Sequence, residues 1–151
     1  MSSAAFLRAA KLKGGGIIAV AGRHNLREIQ AEQGTSGPID ATRSRLNYTL
    51  AGPTTADDVA RDAKALMQGM APLRRDAVMA LELVLSLPVN SLIDHRAYFT
   101  DCLLWVQAHF GCPVLSAVVH LDEAAPHCHV LLLPLRDGRM VGNKLMGGRT
   151  Q

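Results

Sequence analysis

Hydrophobic and polar positions alternate between strand-like and helix-like periods along this chain, and the clearest pattern lies near its end. Two apolar runs, Val114 to His120 and His127 to Leu133, are separated by the short acidic stretch Leu121 to Pro126, which predicts two strands folded back on one another as a hairpin. Working forward from Met1, residues 4 to 13 read as a short strand, broken by Gly14-Gly15-Gly16. Ile17 to Val20 is β-prone by composition, yet Ile17, Val20, Ala21, His24 and Glu28 recur at helical spacing, and we read this stretch as one helix. Gly34 to Pro38 is a loop, and Leu46 to Leu50 a strand closed by Gly52-Pro53. Thr54 or Thr55 caps a helix with Asp57 and Asp58 in its first turn, running to about Gly69. Asp76 to Leu87 is almost wholly apolar and predicts a buried strand with one exception, Glu82. A second long helix, capped by Asn90 or Ser91, has Leu92, Ala97, Phe99, Leu103, Leu104, Val106 and Phe110 among its apolar positions and ends at Gly111 and Pro113. After the hairpin, Arg136 to Arg139 is a turn, and Met140 to Gln151 opens a further element.

This order of elements implies an α+β fold: an antiparallel β-sheet packed with helices, in one domain spanning residues 1–151. No apolar run reaches the roughly 20 residues needed to span a bilayer, and Met1 to Ala10 lack a signal-peptide core, so we expect a cytoplasmic protein. Cys102, Cys112 and Cys128 have no CxxC spacing and read as small apolar residues.

Chemistry enters through the histidines. His127 and His129 are two apart, so on a strand both leave the same face, and a hairpin turn brings His120 opposite them. Three neutral imidazoles suit a divalent transition metal and leave coordination positions open, as in a catalytic site. Asp122 and Glu123, in the connecting turn, are positioned to orient an imidazole, to ligate, or to accept a proton. Net charge, +3, adds little by its size. Its distribution adds more: residues 1 to 50 hold seven Lys/Arg against three Asp/Glu. A basic first third beside a metal site fits a phosphate-bearing substrate, or is a solvated surface.

The stretch His120-Leu121-Asp122-Glu123-Ala124-Ala125-Pro126-His127-Cys128-His129 resembles the HxDExxPHxH signature of the Mob/Pre plasmid mobilisation relaxases, within the HUH endonucleases. Arg23-His24-Asn25-Leu26-Arg27 is similar to that family's HNxR motif, Arg74-Arg75-Asp76-Ala77-Val78 to its middle motif, and Ser44 to Leu50 to the segment between them. The resemblance covers the catalytic domain. It implies an HUH relaxase-like sheet with the metal site on adjacent strands. The activity implied is metal-dependent nicking and rejoining of one DNA strand at an origin of transfer, through a covalent link to the 5′ phosphate.

By that match His120, His127 and His129 hold a divalent ion, manganese or magnesium, which neutralises and aligns the scissile phosphate. The nucleophile is then a side chain, and the HNxR-like motif points to His24 with a phosphoramidate intermediate; Tyr48 is the alternative nucleophile. Arg27 is a candidate phosphate clamp, Asn25 a candidate for fixing the His24 ring, and Glu123 a candidate proton acceptor. Arg23, Arg45, Arg74 and Arg75 are candidate DNA contacts. Glu82 is either a buried acceptor for a site group or a solvated strand residue. Family members usually continue beyond the metal motif, so we expect a domain truncated at its C-terminal end, with oligomerisation carried by the missing region. Two competing readings share the histidines: a non-catalytic DNA-binding remnant, and a phosphoester hydrolase that uses a bound water.

Overall fold

The computed structural model describes residues 6–34 and 37–146; the expectations for residues 4 and 5, 35 and 36, and 147 to 151 lie outside them. Five strands form one antiparallel sheet in the order β1-β3-β5-β4-β2, from β1 (Phe6–Lys13), β2 (Tyr48–Ala51), β3 (Val78–Ser86), β4 (Val114–His120) and β5 (His127–Leu132). The expected hairpin is β4-β5, at the heart of the sheet. A two-stranded ribbon follows, β6 (Leu135–Arg136) and β7 (Arg139–Met140), built on the expected turn.

Both faces of the sheet are covered, which is why β3 reads as an almost unbroken apolar run. One face packs Leu81, Leu83 and Leu85 of β3 and Val119, Cys128 and Val130 against Phe99, Leu103, Val106 and Phe110 of α4 (His95–Phe110). The other packs Ala80, Leu115, Leu131 and Leu133 against Ile18 of α1 (Ile17–Asn25) and Val59 and Ala63 of α3 (Ala56–Leu66). Each such side chain contributes about 1.5–3 kcal/mol when fully buried. The two helices cross closely because Gly22 faces Ala56, where a Cβ on residue 22 would lie 3.1 Å from that of Ala56. At its upper end this same face turns polar, with Glu82, His120, His127 and His129.

Several element boundaries differ from the sequence pattern, among them the end of α3, at Leu66 instead of about Gly69. The helix read through Glu28 is broken: α1 ends at Asn25, Arg27 takes a left-handed φ of 60°, and α2 (Glu28–Gln33) starts afresh. The strand expected from Leu46 begins at Tyr48, because the Asp40 side chain accepts from the Thr42 amide at 3.0 Å and caps a 3-10 helix over Ala41–Leu46. The second long helix is capped by Asp94, whose carboxylate accepts from the amides of Arg96 and Ala97, at 3.1 and 3.3 Å. Ser91 instead caps a local turn by accepting from the Ile93 amide, and Leu92 stands fully exposed outside the helix. Thr55 caps α3 as expected. The last element is α5 (Gly142–Leu145), and Gly142 lets it dock on β3, since a Cβ there would meet Val78 at 2.6 Å.

Candidate active site

Register places the histidines. His120 pairs directly with His127, and His129 lies two residues further along β5 beside Val118 and Val84. Opposed residues and alternate residues share a face, so all three rings stand on the α1 side of the sheet. One nitrogen from each falls within 4.8 Å of the others.

Hydrogen bonds fix which nitrogens are free. His120 Nε2 donates to the Asn25 carbonyl oxygen, 2.6 Å away, leaving Nδ1 unprotonated. His127 Nδ1 donates to the Ala125 carbonyl at 2.9 Å, leaving Nε2 unprotonated. These two lone pairs face each other at 3.3 Å, and a Glu123 carboxylate oxygen lies 3.0 Å from the same His127 nitrogen. Acceptors held face to face in this way fit a cation, and three imidazoles with one carboxylate at the rim are a donor set for a divalent transition metal. Desolvation, then the neighbouring His129, pushes the buried His120 down to about 3, and burial also lowers His127, so both are neutral ligands at neutral pH.

Glu82, left open by its sequence, faces this centre. One of its oxygens lies 3.7 Å from Nδ1 of His129, which is buried with no hydrogen-bond partner among the described residues; the other accepts from the Asn25 amide at 3.1 Å. The carboxylate charge favours a proton on Nδ1 and leaves Nε2 of His129 for a cation. Burial works to raise the Glu82 pKa, but His129 and Asn25 outweigh it and hold it below the ordinary value. Asn25 therefore does not hold the His24 ring: its side chain serves Glu82 and its carbonyl serves His120.

His24, at the end of α1, is solvent-exposed, with its ring centroid 6.5 Å from that of His129. Desolvation, then the charges of Arg27 and His129, lowers its pKa from 6.5, which favours the neutral, nucleophilic ring. The amide of Gln30 reaches its Nδ1 at 3.4 Å.

Arg27 is turned away from the surface. Its guanidinium donates to both Asp122 oxygens, at 3.0 and 2.8 Å, and to Glu123 at 3.0 Å, an ion pairing within the protein. The left-handed backbone at residue 27 makes this inward turn possible. Asp122 is fully buried and also accepts from Ser44 at 2.7 Å and Asn47 at 2.9 Å. Burial raises its pKa, but the bonds from Arg27, Ser44 and Asn47 prevail and hold it well below the usual carboxylate range. With its oxygens so occupied, Asp122 fastens the β4-β5 turn, and Glu123 is the acid beside the histidine cluster.

Tyr48 is not brought to this centre. It pairs with Val119, whose side chain belongs to the α4 face, and its hydroxyl lies 2.7 Å from His95 Nδ1 with Arg96 over its ring, 4.1 Å from the centroid. Alternation across β2 and β4 puts it on the wrong side of the sheet. Arg74 and Arg75 precede Val78 at the opposite end of β3, so at about 3.3 Å per residue they lie some 20 Å or more from the His129 level. Arg23 pairs with Glu32 at 3.3 Å at the surface, whereas Arg45, on the 3-10 helix that covers the Asp122 turn, is exposed.

Three residues that make contacts here were not singled out individually from the sequence: Gln30, Ser44 and Asn47. Ser44 and Asn47 lie in the motif-like segment 44 to 50, which was the available signal. Arg8 carries no local signal, yet it pairs with Val84, which pairs with His129, so it stands exposed on the histidine face about 10 Å away across two strand spacings.

Comparison with known proteins agrees with this geometry. Residues 1–151 match the Mob_Pre family, described as plasmid recombination enzyme. A plasmid recombination enzyme of Lactiplantibacillus plantarum is 27% identical over 157 residues, covering 97% of this chain and 42% of its own. One from a Bacillus species is 28% identical over 131 residues, covering 81% of this chain and 31% of its own. The chain thus spans less than half the length of these relatives. Among solved structures, the manganese-bound MobM relaxase domain in complex with plasmid oriT DNA superposes with a TM-score of 0.81 at 25% identity, covering 95% of this chain and 76% of that one. The antiparallel sheet with its histidine cluster on adjacent strands is thereby the relaxase fold. Among the described residues no helix is long and apolar enough to cross a membrane.

Proposed function

The chain belongs to the Mob_Pre family of plasmid recombination enzymes, and on that premise we propose that it nicks and rejoins one strand of plasmid DNA at an origin of transfer, in the cytoplasm, through a histidine phosphoramidate. The observation that carries this reading is the exposed His24 beside three histidines whose unprotonated nitrogens converge. His120, His127 and His129 hold the divalent ion, manganese by likeness to the solved relative or magnesium. When bound, that ion supplies charge neutralisation and alignment at the scissile phosphate.

His24 delivers the attack. A neutral imidazole uses a lone pair and gives up no strongly held proton, whereas a tyrosine near pKa 10 must first be activated. Its nitrogen forms a bond to phosphorus while the bond from phosphorus to the 3′ oxygen breaks, and the electron pair leaves on that oxygen. Glu123, half-buried at the rim and 3.0 Å from His127, is placed to take or return a proton as the strand is cut and rejoined. Arg27 holds Glu123 there, and Arg45 and Arg8 flank the site as cations for neighbouring phosphates.

The experiment is incubation with a library of single-stranded origin sequences and Mn²⁺, followed by mass spectrometry of any protein-DNA adduct. We expect an acid-labile adduct on His24, absent in His24→Ala and retained in Tyr48→Phe. An adduct that survives in His24→Ala overturns the assignment. Turnover without adduct identifies a water-using hydrolase, and binding without cleavage under any divalent ion identifies a non-catalytic DNA-binding protein.

A further inference from the structure

Gln30 stands six residues after His24. In a continuous helix a residue at that separation lies roughly 240° around the axis and its side chain cannot return to the first. Here the left-handed turn at Arg27, φ 60°, starts a new helix and folds Gln30 back onto the ring of His24.

Two observations at that contact belong together. The Gln30 amide nitrogen lies 3.4 Å from Nδ1 of His24, and its oxygen Oε1 is buried with no hydrogen-bond partner among the described residues. With the nitrogen facing the ring, the amide donates to Nδ1, the ring proton is driven to Nε2, and neither ring nitrogen offers a free lone pair. The two ends of a carboxamide are nearly the same shape, so half a turn places the oxygen at Nδ1 without moving other atoms. That one rotation lets the oxygen accept from Nδ1–H and keeps the proton there, while the amide nitrogen takes over the buried position the oxygen held.

We propose that Gln30 is the positioning residue that sets the tautomer of His24, accepting from Nδ1–H and so presenting the Nε2 lone pair to phosphorus. The inference rests on His24 being the nucleophile. During attack the Nε2–P bond forms, the P–O3′ bond breaks with its electron pair on O3′, and Nδ1 retains its proton. The resulting positive ring is stabilised by the Gln30 oxygen. The role of Gln30 parallels the outer partner of a metal-bound histidine, which fixes ring orientation and proton position.

The test is ¹⁵N chemical shifts of His24 in the histidine-labelled full chain, free of metal and DNA, for the parent protein, Gln30→Met and Gln30→Glu, alongside single-turnover nicking and DNA affinity. We expect the Nδ1–H tautomer in the parent protein and in Gln30→Glu, which still accepts. In Gln30→Met we expect a mixed tautomer population and an adduct-forming rate about 10- to 100-fold slower, with DNA affinity unchanged. A parent His24 protonated on Nε2, or a Gln30→Met variant with unaltered tautomer and rate, overturns the proposal. The spectrum is read without substrate, so absence of nicking in the parent protein counts against the functional reading alone.

Discussion

The Asn25 carbonyl oxygen lies 2.6 Å from Nε2 of His120, and the Asn25 side chain donates to Glu82, which faces His129. The residue next to His24 is thus bonded directly to His120 and, through Glu82, linked to His129. The proposed metal site and the proposed nucleophile meet at a single joint at the end of α1.

That joint predicts a loss of metal affinity without loss of any ligand. Glu82→Ala removes both the partner of His129 and the acceptor for Asn25, and Mn²⁺ binding followed by electron paramagnetic resonance should weaken about 10- to 100-fold. Unchanged affinity would show that the Glu82 carboxylate does not orient His129.

The lowered pKa of His24 has a defined consequence for pH dependence. Desolvation first, then the charges of Arg27 and His129, favours the neutral ring, with Glu82 and Glu123 opposing them. The nucleophilic form is present above the folded pKa and lost as pH falls through it. The acid limb of adduct formation should therefore lie below 6.5, the ordinary histidine value. A midpoint above 6.5 in a pH series of single-turnover rates contradicts this.

Removing Arg27 strands a buried charge. Its side chain is 9% exposed and that of Asp122 is inaccessible, so Arg27→Ala leaves an unpaired interior carboxylate and should cost about 3–5 kcal/mol in denaturant unfolding. Arg27→Met combined with Asp122→Leu should recover much of that loss, because no buried charge remains.

Gly52 is held where only glycine fits. Its φ is +85°, and an added Cβ would run into the carbonyl oxygen of Leu115. Gly52→Ala should lower stability by on the order of 2–3 kcal/mol through the strained backbone and the displaced β2-β4 pairing. A melting temperature equal to that of the parent protein would contradict the close approach.

Arg8 is expected to contribute to DNA affinity, as a cation on the histidine face. Arg8→Ala should weaken single-strand binding and reduce the salt slope by about one unit, while Arg61→Ala, whose guanidinium pairs with Asp58 on α3, should not. Equal slopes for both variants remove Arg8 from the DNA path.

How far the sequence foretold these features depended on the range of the interaction concerned. The β4-β5 hairpin and its histidines were legible because one short turn sets the register, and alternation then sets the face. The Thr55 cap was legible for the same reason, since its partner, the Asp58 amide, is three residues away. The break at Arg27 was not: the apolar spacing from Ile17 to Glu28 suits an unbroken helix. It is Asp122 and Glu123, 95 and 96 residues away, that draw Arg27 inward and help offset its left-handed backbone. The places of Tyr48 and Arg8 were not legible either, because strand order decides which face of the sheet each occupies.

By itself the sequence determined the strands, their alternation, the convergence of His120, His127 and His129, and the family resemblance that singled out His24. Only the tertiary structure decided that Arg27 pairs with Asp122 and Glu123, that Asn25 bonds to Glu82 and His120, and that Tyr48 lies on the α4 face of the sheet. The physical reason is that periodicity and turn chemistry act within a few residues. The partner a buried charge or amide chooses is set by the whole fold, which must satisfy every polar group it takes out of water.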